Sequence, residues 1–359
     1  MTILQSLFSP RIPFTPSTKS VINATGGNDI VIMGTLKVHI FTGPGTFTVT
    51  SAPPTTQITF AVIAGGGGGG AGGEDVSNGY CGGGGGAGGC RIGTLPLQTF
   101  STPPTGPGPW IMPITVGAGG AGGVDNVPTT PFSPSVTGYG FNGSPSIFNI
   151  RYAPLNTNIE STGGGAGASF YLPGPGIYVG NSGGSGGGSR GPVGGSNYSI
   201  PGGQGNTPPT TPATAAGGPQ GRNAAPFPST LPGSSPIRAW GSGGGGAGGV
   251  GGPGLGGATF LGGIGSILLG YVPLAYGRSG YFAGGGEGGT RSPEPPLSPP
   301  YDGYSMYGGG LRNPNNSPTS PASPALVNTG SGGAGASGTT PGVSGGAGAP
   351  GIVVVAYTY

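Results

Sequence analysis

The sequence predicts a fold that is mainly β and irregular, with almost no α-helix. Three observations predict it. Glycine fills 91 of 359 positions and proline 42, against ordinary usages of about 7% and 5%. The glycines are bunched into contiguous runs. Stretches rich in Val, Ile, Thr and Phe bracket those runs at both ends of the chain. Ala, Leu, Glu and Lys never recur at the 3.6-residue spacing that an amphipathic helix needs.

Residues 1–25 read as an extended N-terminal arm. Leu7, Phe8, Ile12 and Phe14 are interrupted by Pro10, Pro13 and Pro16, and the arm is expected to dock on a neighbouring subunit. It does not read as a secretory signal, because Gln5 and Ser6 break its apolar run and Pro10 stops it. Residues 26–359 read as one glycine-rich domain. Its strands are expected within 28–64, at 114–116 and at 352–359, where IVVVAYTY is the clearest strand of all.

Nine glycine runs lie between: 65–73, 82–89, 117–123, 163–168, 183–188, 243–252, 284–289, 332–336 and 345–349. Loops rich in Pro, Thr, Ser and Tyr are expected at 91–112, 124–162, 206–240 and 290–328. A flexible linker is the default for one Gly/Ser tract. Collagen needs glycine at every third place only, and these runs are contiguous. The third possibility is a bundle of threefold extended helices of the polyglycine II kind. Such a helix has no internal hydrogen bonds, so its backbone must pair with neighbours. Ordering a glycine costs roughly 0.5–1 kcal/mol more than ordering an alanine. A satisfied backbone hydrogen bond contributes about 0.5–1.5 kcal/mol. One run alone stays unfolded; nine packed together can order. The non-glycine residues inside runs (Ala71, Ala87, Ala121, Ala247) are then expected on outer faces.

The composition excludes several functions. Eleven Lys+Arg and eight Asp+Glu leave a net charge of +3, and the basic residues are scattered, so no nucleic-acid patch exists. No stretch of about 20 apolar residues occurs, so no membrane insertion is expected. GxGxxG-like matches follow from glycine abundance, and no GK[ST] is present. His39, in KVHIF, reads as a structural histidine. Glu74 and Asp75 make too thin a pair for a cation site, and scattered acids do not suit a glycosidase. Cys81 and Cys90 flank an eight-residue run. If that run is extended at about 3.1 Å per residue, their Cα atoms lie roughly 28 Å apart, too far for a disulfide, and both are expected as thiols. No catalytic residue, metal or cofactor is expected.

Aromatic residues mark the recognition candidates, since Tyr and Trp give rigid amphipathic contact at low entropic cost. They are Tyr301, Tyr304, Met306 and Tyr307 in one loop, Trp110 and Trp240 at loop–run junctions, and Tyr139 and Phe141 in another loop.

KVHIFTGPGTFTVT at 37–50 and ITFAVIAGGGGGGAGG at 58–73 resemble the opening of the glycine-rich domain found in many phage and marine bacterial proteins. GGGGGAGG at 82–89 and ITVGAGGAGG at 114–123 continue the pattern. NTGSGGAG at 328–335 and GGAGAPGIVVVAYTY at 345–359 resemble its closing strand. The resemblance implies a β-sandwich of terminal strands with a polyglycine II bundle inserted. In style the chain is also similar to the adhesins that cap tail fibres of tailed phages. The expectation is therefore a non-enzymatic virion structural protein, a tail-fibre or receptor-binding adhesin assembled in the host cytoplasm. Its expected partners are other virion proteins, copies of itself (a trimer being typical of fibres) and a host cell-surface receptor. A purely architectural subunit, such as a capsid fibre, decoration protein or extracellular filament, is the alternative. An ice-binding face would need Thr or Ala at every third place, which the runs do not show.

Overall fold

The computed structural model describes residues 22–52, 57–75, 78–96, 109–124, 138–150, 157–169, 179–190, 200–207, 220–226, 241–252, 280–289, 308–311, 321–337 and 343–359, with 262–263, 265–267, 272 and 276–277. Two five-stranded antiparallel sheets pack face to face. The first has the order β1 (Asn23–Thr25), β4 (Gly45–Ser51), β9 (Trp110–Thr115), β10 (Ser146–Ile150), β11 (Thr157–Ser161). The second has the order β2 (Asp29–Met33), β3 (Leu36–Phe41), β14 (Ile352–Thr358), β5 (Gln57–Ile63), β8 (Cys90–Pro96). Short pairs complete the set: β6 (Gly73–Asp75) with β7 (Asn78–Tyr80), and β12 (Ser266–Ile267) with β13 (Tyr281–Phe282). No helix is found among the described residues.

The sandwich interior takes alternate residues from both sheets: Phe47 and Val49, Met112 and Ile114, Phe148 and Ile150 from the first; Phe60 and Val62, Val353, Val355 and Tyr357 from the second. The opposite face of the second sheet is covered too. Val38, Ile40, Ala61, Ile63, Val354 and Ala356 pack there with Ala87, Val272 and Phe282. The central strand β14 is thus buried on both faces, which is why it reads as an unbroken apolar run and not as an alternation.

Three strands and part of a fourth fall in stretches expected as loops. β8 and the first half of β9 lie within 91–112, and β10 and β11 within 124–162, while the second half of β9 meets the strand expected at 114–116. Their alternation is real, as in Ile147–Phe148–Asn149–Ile150 with Phe148 and Ile150 buried. Each is short and hemmed in by proline-rich sequence, which hid it.

The glycine runs leave the sandwich where the strands end. Run 64–72 bonds its N–H groups in rotation to three neighbours. Gly65, Gly68 and Ala71 donate to Ser144, Phe141 and Gly138; Gly66, Gly69 and Gly72 to Ala349, Gly346 and Val343; Gly67 and Gly70 to Gly86 and Gly83. Its carbonyls accept from three more: Gly164 and Gly167, Gly120 and Gly123, Gly333 and Ala336. Run 82–89 has six neighbours in the same way. Every third residue meets the same neighbour, so the backbone groups are satisfied without a sheet. There is no space for side chains between the segments. A Cβ at Gly67 would stand 2.2 Å from the carbonyl oxygen of Gly165, and one at Gly85 2.1 Å from that of Gly67.

Exposure follows the same period. Along 117–124, Gly117, Gly120 and Gly123 are buried while Ala118, Ala121 and Val124 are exposed. Non-glycine residues are tolerated where the run has no neighbour. Ala121 meets the expectation of an outer face. Ala71 and Ala87 do not, being fully buried. Ala87 faces the apolar cluster on the second sheet, where it meets side chains in place of another backbone.

Candidate functional site

The hydrogen-bond register gives the molecule two ends. Phe41, Ile63, Cys90, Thr115, Ser146, Ser161 and Ile352 mark the sandwich edge that continues into the bundle. Two buried serines join the parts there. Ser146 Oγ donates to the Ile63 carbonyl and accepts from the Gly117 N–H, both at 2.8 Å. Ser161 Oγ donates to the Val62 carbonyl at 2.8 Å. At the opposite edge of the sandwich, Asn23 pairs with Ser51, Val49 with Trp110, and Leu36 with Thr358. The segment that follows residues 1–21 therefore enters at the base.

The other end, which we call the tip, lies beyond the far ends of the runs. Hairpin β6–β7 stands there. The chain also leaves the lattice at this end and returns at Val124 and Gly138, at Ser169 and Val179, at Arg190 and Ile200, at Pro226 and Gly241, and at Ser337 and Val343. The register fixes this, because 117–123, 163–168, 185–188 and 332–336 run parallel to 65–72, and 82–89, 138–144, 242–245 and 345–349 run against it.

Tyr139, singled out in the sequence, follows Gly138 near the tip, and Phe141, also singled out, sits halfway along the bundle, level with Gly68 in the middle of run 64–72. The Phe141 N–H donates to the Ala121 carbonyl at 2.9 Å and its carbonyl accepts from Gly68 at 2.9 Å. Asn142 locks the same segment: its Oδ1 accepts from the Ala166 N–H at 2.9 Å and from Asn181 Nδ2 at 3.1 Å. The Phe141 ring is 53% exposed on this fixed backbone, and Val124 beside Gly138 is exposed too. Tyr139 is half-buried. Sequence reasoning missed Val124 and Asn142. The one-in-three exposure along 117–124 is the pattern that would have found the first.

Trp110 is elsewhere. It begins β9 at the base, half-buried against the sandwich core, about 40 Å of extended chain from Val124. Trp240, Tyr301, Tyr304, Met306 and Tyr307 lie outside the described residues, as do the arm residues Leu7, Phe8, Ile12 and Phe14. Trp240 immediately precedes Gly241 at the tip.

His39 faces the sandwich interior near its edge. Its Nδ1 lies 2.7 Å from the Gly26 carbonyl and its Nε2 3.2 Å from Tyr357 Oη. Phe47 meets its ring edge-on at 5.1 Å. Burial pushes its pKa below the ordinary 6.5, the Gly26 hydrogen bond opposes this, and Lys37 adds to it. Burial also pushes Tyr357 up to about 12. Cys81 and Cys90 are buried thiols at opposite ends of run 82–89. Among the described residues, no group of three His, Cys, Asp or Glu side chains gathers that could hold a metal. Glu74 and Asp75 fall in β6.

These features define a class of protein: a β-sandwich whose loops are replaced by a lattice of glycine backbone. The chain belongs to the glycine-rich domain family, whose model matches residues 42–358. Comparison with curated proteins finds no match.

Proposed function

We propose that this chain is a virion structural protein, a tail-fibre or receptor-binding adhesin of a tailed phage. The bundle is read as polyglycine II helices forming a rigid shaft. The observation that carries the proposal is the polarity of the molecule. The N-terminal segment joins at the base, the chain leaves and re-enters the bundle repeatedly at the tip, and the exposed Phe141 stands on the flank between the two. An adhesin needs such a division, with assembly at one end and recognition at the other. Its partners are then other virion proteins and copies of itself at the base, and a host cell-surface receptor at the tip. The reading is non-enzymatic.

Immunogold electron microscopy of the native particle tests it. Label at the ends of tail fibres, with purified protein blocking adsorption to host cells, is the expected result. Label on the head or along a filament would replace it with the architectural reading. That second reading draws on the face formed by 117–124 and 343–350, whose exposed Ala118, Ala121, Val124 and Ala347 carry no charge.

A further inference from the structure

The sandwich has four edge strands, and three of them are protected. β1 is only three residues long and its register shifts between Asn23 and Ala24. β8 carries Arg91, Gly93 and Pro96. β11 carries the exposed Glu160. Short length, bulges, proline and charge are the usual means by which edges avoid pairing with another chain. β2, DIVIM, has none of them along its length. It pairs with β3 in unbroken register from Asp29 to Met33. Its one charge, Asp29, is engaged at the end of the strand by the hydroxyl of Tyr276.

β2 is apolar on both faces. Ile30 is 45% and Ile32 60% exposed on the side that the first sheet leaves uncovered. Val31 and Met33 are half-buried on the other side, against the cluster of Val38, Ile40 and Phe282. A strand added beside β2 would have to offer apolar residues on both of its faces.

The 21 residues that precede Ile22 contain one segment of that kind. Thr2–Ile3–Leu4–Gln5–Ser6–Leu7–Phe8 is free of proline and glycine. With period-two alternation it sets Leu4 and Phe8 on one face and Ile3 and Leu7 on the other. Residues 10–16, PRIPFTP, follow it. Proline at every third place favours a stiff extended spacer of about 3.1 Å per residue, about 20 Å in all. A spacer of that length is long enough for residues 2–8 to reach past the base at which the chain enters the sandwich.

We propose that residues 2–8 of one copy add to β2 of a second copy as a sixth strand of its second sheet. Main-chain hydrogen bonds along the open edge supply the affinity, and the two apolar faces fix the register. The adhesin reading is not a premise here, since the surface and the segment are properties of this chain alone.

The test uses full-length protein, a variant lacking residues 2–9, and a labelled peptide of residues 1–16. Light scattering should find the full-length chain multimeric and the truncated one monomeric. The peptide should bind the truncated protein in fluorescence anisotropy. Ile32→Lys in that protein should weaken peptide binding about tenfold or more, because a charge now lies on the covered face. Ile32→Val should leave binding within about threefold, which separates loss of the site from loss of the fold. Multimers that persist without residues 2–9 would overturn the proposal, as would a monomeric full-length chain, even one whose own segment occupies β2. So would a peptide that binds Ile32→Lys as well as the parent.

Discussion

His39 Nε2 stands 3.2 Å from Tyr357 Oη across the β3–β14 pair, inside the sandwich. The Ala24 backbone N–H also bonds the Tyr357 oxygen, so the phenol hydrogen is left to donate to Nε2. The Nδ1–H then donates to the Gly26 carbonyl at 2.7 Å. The imidazole is held neutral, with both nitrogens used.

Acid should therefore loosen the sandwich. The folded pKa of His39 lies below 6.5, so the unfolded chain binds more protons as the pH falls below 6.5. The stability is fully present above that value and is lost as pH falls through the folded pKa. Calorimetry should find a lower melting temperature at about pH 5 than at about pH 8, and His39→Gln should flatten that dependence. Tyr357 acts in the alkaline range. Its pKa of about 12 means that the unfolded chain loses the phenol proton first, so stability should fall again above about pH 10.

Glycine in the lattice should be irreplaceable at sites an ordinary helix or loop would tolerate. Gly85→Ala places a methyl 2.1 Å from the Gly67 carbonyl oxygen, and backbone on six sides cannot yield. The expected cost is about 1–3 kcal/mol or more. Ala121→Ser, on the exposed row, should change stability by no more than about 0.5 kcal/mol. Chemical denaturation of the two variants gives both numbers, and equal losses would contradict the lattice.

Ser146 should matter more than its size suggests. Its hydroxyl is the partner of the buried Gly117 N–H, so Ser146→Ala leaves that group unsatisfied at the joint of sandwich and bundle. The expected loss is about 1–3 kcal/mol, with amide exchange at Gly117 speeding up more than at Gly67.

The outline of this fold is legible because glycine and β-branched residues are so cleanly separated. QITFAVI and IVVVAYT announce β5 and β14, and the six neighbours of run 64–72 follow from having no side chains to hold neighbours off. β8, β10, β11 and the start of β9 escaped because five- to seven-residue strands beside proline carry little pattern. The buried Ala87 escaped because a run's sequence does not say which of its sides faces a sheet. The site is less legible than the fold. Tyr139, Phe141 and Trp110 look alike as aromatic residues near glycine. Only the direction of each run, set by long-range hydrogen bonds, puts Tyr139 near the tip, Phe141 halfway along the bundle and Trp110 at the base.

That difference in place yields the sharpest functional expectation. Phe141 contributes an exposed ring on a segment fixed by backbone bonds and Asn142, so Phe141→Ala should leave stability within about 0.5 kcal/mol. If host recognition extends from the tip down the flank that carries Phe141, the same change should reduce binding about tenfold, the scale of an aromatic contact at the centre of an interface. Trp110→Ala should do the reverse. It opens a gap against the sandwich core and should lower stability by about 3 kcal/mol, while protein that remains folded binds as before. Cell-binding titrations on variants checked by melting temperature read both effects. A Trp110 variant that folds normally and fails to bind would move recognition from the bundle to the base.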